Sequence, residues 1–109
     1  MSEVIELLIT KGADVNSKSQ FGWTPLMQGC TRGHVQACSV LITFGADVNL
    51  ANSEGSTALH IAAGKGFFEI VQLLLGSGAQ RQVVSNNGST PLMLATKAGH
   101  ALIIELLSY

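Results

Sequence analysis

Three residues that could bind a metal ion follow one another at steps of four positions, namely Cys30, His34 and Cys38. On an unbroken helix this spacing would place all three side chains on one face, and cysteine sulfur with histidine nitrogen is a ligand set of zinc. Gly33 interrupts the segment where a helix is predicted to end, and the pattern lacks a fourth ligand. The sequence therefore favours two small core cysteines over a metal site, and it predicts no bound metal and no cofactor.

The histidines are the other candidates for chemistry. None of His34, His60 and His100 has a serine, cysteine or aspartate at a spacing that suggests a nucleophile and its base. The glycines are spaced for turns, and none of them forms a phosphate-binding loop that leads into Lys-Ser or Lys-Thr. We therefore predict that the protein has no catalytic residue and is not an enzyme.

Composition excludes several other classes of ligand. The chain has 109 residues, a formal net charge of −1 and 12% charged residues, so no basic surplus is present to neutralise the phosphates of a nucleic acid. The start Met1-Ser2-Glu3 lacks the basic residues of a signal peptide, and no apolar run approaches the roughly 18 residues of a membrane span. We expect a soluble protein of the cytoplasm or nucleus, without a nucleic-acid, membrane or small-molecule ligand.

The elements that must position these residues repeat along the chain with a period of 33 residues. The residues that recur at this step are Gly22, Gly55 and Gly88; Thr24, Thr57 and Thr90; Leu26, Leu59 and Leu92; and Gly33, Gly66 and Gly99. A second set keeps the same step, with Gly12, Gly45 and Gly78 each followed by alanine. A fixed period of this length predicts a solenoid, in which one supersecondary unit is stacked on its copies.

Each predicted unit contains a short inner helix followed by an outer helix. A threonine can cap the start of the inner helix by accepting a backbone N–H, and a glycine free to adopt positive φ can end it. Apolar residues of the outer helix recur in two rows along the stack, Ile5, Cys38, Val71 and Ile104 in one and Leu8, Leu41, Leu74 and Leu107 in the other. Stacked in this way, the amphipathic helices of the units form one continuous core.

Residues of the inner helices resemble the signature Thr-Pro-Leu-His-x-Ala of the ankyrin repeat family. The signature is carried by residues 24–27, 57–62 and 90–95, and the family's loop Gly-Ala-Asp-Val-Asn is complete at residues 12–16 and 45–49. This resemblance covers essentially the whole chain. It implies an all-α ankyrin repeat solenoid of stacked helix-turn-helix units joined by β-hairpin-like turns, in which His60 braces the turn backbone through hydrogen bonds.

The period divides residues 1–109, a single domain, into a partial repeat at 1–18, repeats at 19–51 and 52–84, and a repeat at 85–109 that lacks its final loop. Terminal repeats of a solenoid usually present a polar outer face, but both ends here are apolar. The end residues are Val4, Ile5, Leu7, Leu8 and Ile9 and, at the other end, Leu102, Ile103, Ile104, Leu106 and Leu107. We expect either a piece of a longer array or end-to-end association with another chain.

The resemblance implies that a protein or peptide partner binds the concave side, formed by the turn tips and the exposed face of the inner helices. The matching residues are Gln20, Phe21, Trp23 and Arg32 in one repeat, Ser53, Glu54, Ser56 and Lys65 in the next, and Asn86, Asn87, Ser89 and Lys97 in the last. These residues are mixed and mildly polar, which disfavours a strongly charged ligand. The predicted function is a non-catalytic interaction module; the alternative is a structural or regulatory segment of a larger enzyme, kinase or channel.

Phe21 and Trp23 differ most from the equivalent residues of the other turn tips, which are polar. Large aromatic residues beside an arginine are typical of interface hot spots, so we expect them to anchor the partner. The alternative is that both rings fold back onto the inner helices or onto a missing preceding unit.

The loops between the repeats carry two further signals. Asn16 and Asn49 end loops that resemble sites of asparaginyl β-hydroxylation in ankyrin proteins. The third loop has Gln80 and Gln82 in place of the aspartate and asparagine, which predicts a looser or bent last junction.

Overall fold

A computed structural model describes residues 15–108 of the chain. Six α-helices and no strand lie in this range, so the predicted all-α class is confirmed. The helices are α1 (Pro25–Arg32), α2 (Val35–Thr43), α3 (Ala58–Lys65), α4 (Phe68–Gly76), α5 (Pro91–Ala98) and α6 (Ala101–Leu107), with a short 3₁₀ helix at Gln20–Gly22. The apolar residues predicted at positions 4–9 lie outside the described residues. None of the helices in residues 15–108 is both long and apolar enough to cross a membrane.

The boundaries of the inner helices α1, α3 and α5 follow from the predicted threonines and glycines. Thr24 and Thr90 each accept a hydrogen bond from the backbone N–H three residues later, with N···O distances of 3.2 Å. At the other end, Gly33, Gly66 and Gly99 adopt left-handed φ angles of 73°, 84° and 78°. A side chain at positive φ is strained, so glycine ends each helix at little cost.

The helices stack in two rows, with α1, α3 and α5 in the inner row and α2, α4 and α6 in the outer row. Leu59 and Ala63 of α3 and Val71 and Leu74 of α4 are fully buried at the centre of the stack. Alanine in the inner row lets neighbouring helices approach closely, while the longer side chains of the outer row fill the space between repeats. Of the two rows predicted from the sequence, the described members lie in or against the core: Cys38, Val71, Leu41, Leu74 and Leu107 are buried, and Ile104 is partly buried against them. Ile5 and Leu8 lie outside the described residues.

Hydrogen bonds between successive loops tie the repeats together along one edge. The Asn16 side chain accepts from the N–H of Asp47 at 2.7 Å and donates to the carbonyl of Gly45 at 3.2 Å. Asn49 repeats both bonds one repeat later, accepting at 2.8 Å and donating at 3.1 Å. The third loop is held differently, since the Arg81 guanidinium donates to the carbonyl of Leu106 at 2.8 Å.

The turn tips form a second line of hydrogen bonds between successive repeats. The N–H of Ser53 donates to the carbonyl of Phe21, and that of Asn86 donates to the carbonyl of Glu54, both at 2.9 Å. Each tip also keeps the predicted hairpin-like turn, because the N–H groups of Ser19, Asn52 and Ser85 donate to the carbonyls four residues later. In the middle tip an isolated antiparallel bridge joins Ala51 and Thr57. The tips are therefore fixed to one another by backbone as well as by the helices beneath them.

Candidate functional site

A cavity of about 400 Å³ lies beside α1 at the first repeat. Its lining includes the indole of Trp23, the cations Lys18 and Arg32, and the imidazole of His34. The fold thus brings together two of the residues predicted from the sequence, Trp23 and Arg32. Trp23 is partly buried, and part of its surface remains open to the cavity.

Phe21 occupies a different position from Trp23, although only Gly22 separates them. Its side chain is 67% exposed at the first turn tip, and it does not line the cavity beside α1. Its φ angle of 65° makes it the one non-glycine residue with positive φ in the part of the chain that the structure describes. A bulky residue in this region is strained, so the tip holds an apolar ring in water at a cost to stability.

Six polar residues of the second and third tips, five of them predicted site residues, surround a smaller cavity of about 190 Å³. They are Ser53, Glu54, Ser56, Ser85, Asn86 and Asn87. The Asn86 side chain donates to the carbonyl of Ser53 at 2.9 Å, so part of this polarity serves the contact between tips. Gln20 lies in the 3₁₀ helix of the first tip, and Ser89 precedes α5.

The remaining predicted residues, Arg32, Lys65 and Lys97, lie in the last turns of the three inner helices. All three are exposed. Such cations interact favourably with the negative end of a helix dipole. The described outer helices have no basic residue in their last turns; α4 carries Glu69 in its first turn, α6 carries Glu105, and α2 carries no charged residue. Positive charge is therefore confined to the inner of the two described rows of helices.

His60 is buried at the junction between the second and third repeats and joins them by hydrogen bonds. Its Nδ1 accepts from the N–H of Thr57 at 3.1 Å, and the Thr57 hydroxyl accepts in return from the N–H of His60, which completes a capping box. Because Nδ1 is an acceptor, Nε2 carries the proton and donates to the carbonyl of Ser89 at 2.9 Å. The bracing role that the family resemblance implied is present in the structure.

Replacing His60 by methionine, the residue at the equivalent positions 27 and 93, should lower the free energy of unfolding by about 1–2 kcal/mol. The variant roughly keeps the buried volume but loses two hydrogen bonds of the imidazole, one accepted from the N–H of Thr57 in the capping box and one donated to the carbonyl of Ser89. Urea unfolding followed by circular dichroism measures the change. Met93→Ala, at the equivalent but 55% exposed position, is the control and should stay within about 0.5 kcal/mol of the parent. A loss for His60→Met no larger than that of this control would contradict the bracing role.

Cys30 and Cys38 face each other across α1 and α2, with both side chains buried and their sulfur atoms 3.9 Å apart. Hydrogen bonding with Cys38 and burial raise the pKa of the Cys30 thiol. His34 sits at the start of α2, separated from Cys30 by the helix end at Gly33. Within residues 15–108 no group of three or more potential ligands is placed to hold a metal ion, and the two cysteines pack as core residues.

Asn16 and Asn49, the residues for which hydroxylation is predicted, both have their side-chain amides engaged in the bonds between loops described above. Their role in the structure is to hold the following loop. Hydroxylation at these positions stays a prediction.

Lys18 and His34 were missed as site residues when the sequence was considered alone. His34 lies just after a helix-ending glycine, as His100 does, and Lys18 lies in a loop. Nothing in the sequence distinguishes His34 from His100, or Lys18 from any other lysine of a loop, so no sequence signal could have found them. Both line the cavity beside Trp23.

The structure consists of helix pairs stacked one on the next, with hydrogen bonds between loops 33 residues apart. This arrangement is a helical-repeat solenoid. The family model of ankyrin repeats (3 copies) matches residues 1–85 and 45–109, which together span the chain. The protein belongs to the ankyrin repeat family, as its motifs predicted. No curated protein sequence matches it significantly. Ankyrin repeats are generally modules for protein–protein interaction and are generally non-catalytic.

Proposed function

We propose that this chain is a non-catalytic module that binds a segment of a partner protein along its turn tips and inner helices. The observation that carries the proposal is the pair of aromatic residues at the first tip. Phe21 is exposed on a strained backbone, and Trp23 opens onto a cavity that it shares with Arg32. The Phe21 carbonyl accepts from the N–H of Ser53, which holds the backbone of the tip, whereas the ring itself is 67% exposed. A strained residue that presents an apolar ring to solvent is expected where function requires the conformation.

The residue types around the first tip favour a binding role over a purely structural one. Tryptophan and arginine are enriched in interface hot spots because each buries a large surface and also offers directed polar contacts. The other two tips supply a polar rim through residues such as Ser56 and Asn87. Such a rim excludes water around an apolar anchor and sets the register of a bound segment.

Replacing both aromatic residues, Phe21→Ala with Trp23→Ala, should abolish capture of the partner in a pull-down from cytosolic and nuclear extracts. Losing two anchor side chains of an interface typically weakens binding by about 100-fold or more, because each is worth roughly 1–3 kcal/mol or above. Circular dichroism must first show that the variant keeps its helices. Quantitative mass spectrometry of the captured proteins then compares it with the parent chain.

Phe44→Ala is the matched control, since this phenylalanine is 51% exposed at the end of α2 and is remote in sequence from the tips. It should leave capture unchanged. Equal recovery of every protein by the parent and the double variant would show that the aromatic tip is not the anchor. Equal loss in the double variant and in Phe44→Ala would indicate non-specific binding to exposed rings.

A further inference from the structure

Asn87 and Gly88 form the only Asn-Gly pair of the sequence, and they lie in the third turn tip. An asparagine amide is chemically labile when glycine follows it, because the next backbone nitrogen can attack the side-chain carbonyl carbon and glycine has no Cβ to obstruct the approach. Glycine also occupies this position in the first two tips, but there it follows Phe21 and Glu54, which have no amide. The third tip alone therefore combines the two groups that react.

The Asn87 side chain is exposed to solvent, as the reaction requires, since water completes it. Exposure at this place in the turn is a property of the repeat. Phe21 and Glu54, the equivalent residues of the first two tips, are also exposed, although another tip follows each of them. The accessibility of Asn87 therefore follows from the shape of the turn.

The Ser85 hydroxyl donates a hydrogen bond of 2.6 Å to Oδ1 of Asn87. The same Oγ accepts from the N–H of Ser89 at 3.3 Å, and accepting that bond strengthens the hydroxyl as a donor. A donor on Oδ1 withdraws electrons from Cγ and stabilises the negative charge that develops on the oxygen when Cγ is attacked. Ser85 is thus placed as a one-donor oxyanion hole for the Asn87 amide.

The other asparagines of residues 15–108 are held by bonds that keep the amide in place. Asn52 is buried, and its Oδ1 accepts two backbone N–H groups. The Asn86 amide donates to a backbone carbonyl of the preceding tip, while Asn16 and Asn49 hold the following loop. Each of these four is followed by a residue that has a Cβ. Asn87 is therefore the most reactive asparagine of the described chain.

We propose that Asn87 is a site of spontaneous deamidation, in which the Ser85 hydroxyl activates the amide. The Gly88 nitrogen gives its proton to solvent and bonds to Cγ of Asn87. The tetrahedral intermediate takes a proton from solvent and expels the amide nitrogen as ammonia, which leaves a five-membered succinimide. Water then opens the ring at one of its two C–N bonds. Opening at Cγ gives aspartate, and opening at the α-carbonyl gives isoaspartate, whose main chain runs through Cβ and Cγ.

The turn slows this reaction without preventing it. The N–H of Gly88 donates to the carbonyl of Ser85 at 2.9 Å, so the attacking nitrogen is available only in the fraction of molecules in which this bond is open. The folded chain should therefore react several-fold more slowly than the chain in urea. The contribution of the Ser85 hydroxyl acts in the opposite direction and has to be measured separately.

The product changes the surface that the tips present. Either product adds one carboxylate, which takes the formal net charge from −1 to −2, and it does so at the smaller cavity, where Glu54 already places a carboxylate. Isoaspartate also lengthens the main chain within the turn that the N–H of Ser85 and the carbonyl of Ser89 close. The polar tips therefore become more acidic as the molecule ages, whether or not a partner binds there.

The test follows the purified chain at mildly alkaline pH, where the backbone nitrogen loses its proton more readily. Digestion with trypsin gives a peptide of residues 82–97, which contains Asn86 and Asn87, and its fragment ions separate the two positions. Position 87 should gain about 1 Da, as a mixture of aspartate and isoaspartate. A sample taken at the start corrects for deamidation during digestion, and Asn87→Gln should abolish the gain.

Ser85→Asn is the matched variant, because it gives the third tip the residue that the middle tip has at position 52. It keeps a side chain that can accept the turn N–H groups and removes the hydroxyl donor. In the folded state it should slow deamidation by about two- to tenfold, the effect of one lost hydrogen bond in the transition state. In urea the two chains should react at the same rate. Circular dichroism shows whether the variant keeps its helices.

Two results would overturn the proposal. The folded parent could show no gain at position 87 over the time in which the chain in urea converts completely, which would mean that the turn protects Asn87. Alternatively, the parent and Ser85→Asn could react at equal rates in the folded state, which would remove the hydroxyl from the reaction. The proposed binding function is tested separately by the pull-down, and neither of these results bears on it.

Discussion

Replacing Leu74 by alanine should lower the free energy of unfolding by about 2–5 kcal/mol, the range measured when a buried leucine is truncated in a close-packed core. Leu74 has no exposed surface and lies in α4, at the middle of the stack. Its row continues through Leu41 on one side and Leu107 on the other, both buried. The cavity left by truncation would therefore border both helix-pair junctions at once, and neither neighbouring repeat could close it without separating from the other.

A loss of this size is a large part of the stability of a small domain, so the same variant also tests whether the chain unfolds as one unit. Domains have a total stability of about 5–15 kcal/mol, and in a solenoid each repeat depends on the interfaces with its neighbours. Urea unfolding by circular dichroism should show one transition, shifted to lower urea with its slope unchanged. Leu75→Ala, at a partly exposed position of the same helix, should lower the free energy of unfolding clearly less than Leu74→Ala. Equal losses for the two variants would contradict the assignment of Leu74 to the centre of the core.

Replacing Gly66 by alanine should lower the free energy of unfolding by about 2–4 kcal/mol. Two causes contribute, and both come from the Cβ atom that the substitution adds. The φ angle of 84° at this helix end is unfavourable for a residue with a Cβ, at about 1–2 kcal/mol. That Cβ would also lie 2.5–2.8 Å from atoms of the His100 ring, too close for real atoms. The ring would have to swing away, and it would then lose its hydrogen bond to Gly64 and its packing between the repeats.

Gly99→Ala separates the two causes. Its φ angle is 78°, but a Cβ built there meets no atom within 4 Å in the described structure, so only the backbone cost of about 1–2 kcal/mol should remain. Thermal and urea unfolding of the two variants side by side give the difference. If Gly66→Ala is no more destabilising than Gly99→Ala, the contact between His100 and the end of α3 contributes nothing to stability.

Most of the fold could be predicted from the sequence because its signals are local and repeated. A threonine at a helix start and a glycine at a helix end act on backbone groups a few residues away, so Thr90 and Gly99 specify the ends of α5 without reference to the rest of the chain. The period then gives the stacking, since rows such as Leu41, Leu74 and Leu107 have one arrangement that buries all of them.

The candidate site was less predictable because it depends on the backbone of one turn rather than on the repeated pattern. Trp23 and Phe21 are two residues apart and chemically alike, yet the intervening turn directs one ring to the cavity and leaves the other in water. Phe21 adopts a left-handed backbone conformation that phenylalanine disfavours. The position of its ring therefore could not be predicted from residue propensities.

The bonds between successive loops have a consequence for the length of the molecule. Asn49 holds the next loop by the carbonyl of Gly78 and the N–H of Gln80, and both of these partners are backbone groups. Any loop of the same shape would satisfy them, whatever its side chains. A duplicate of residues 52–84 inserted after position 84 would need asparagine in place of Gln82 to make the same joint. With that one change, the array could be lengthened in whole repeats while the first tip and its aromatic residues stay untouched.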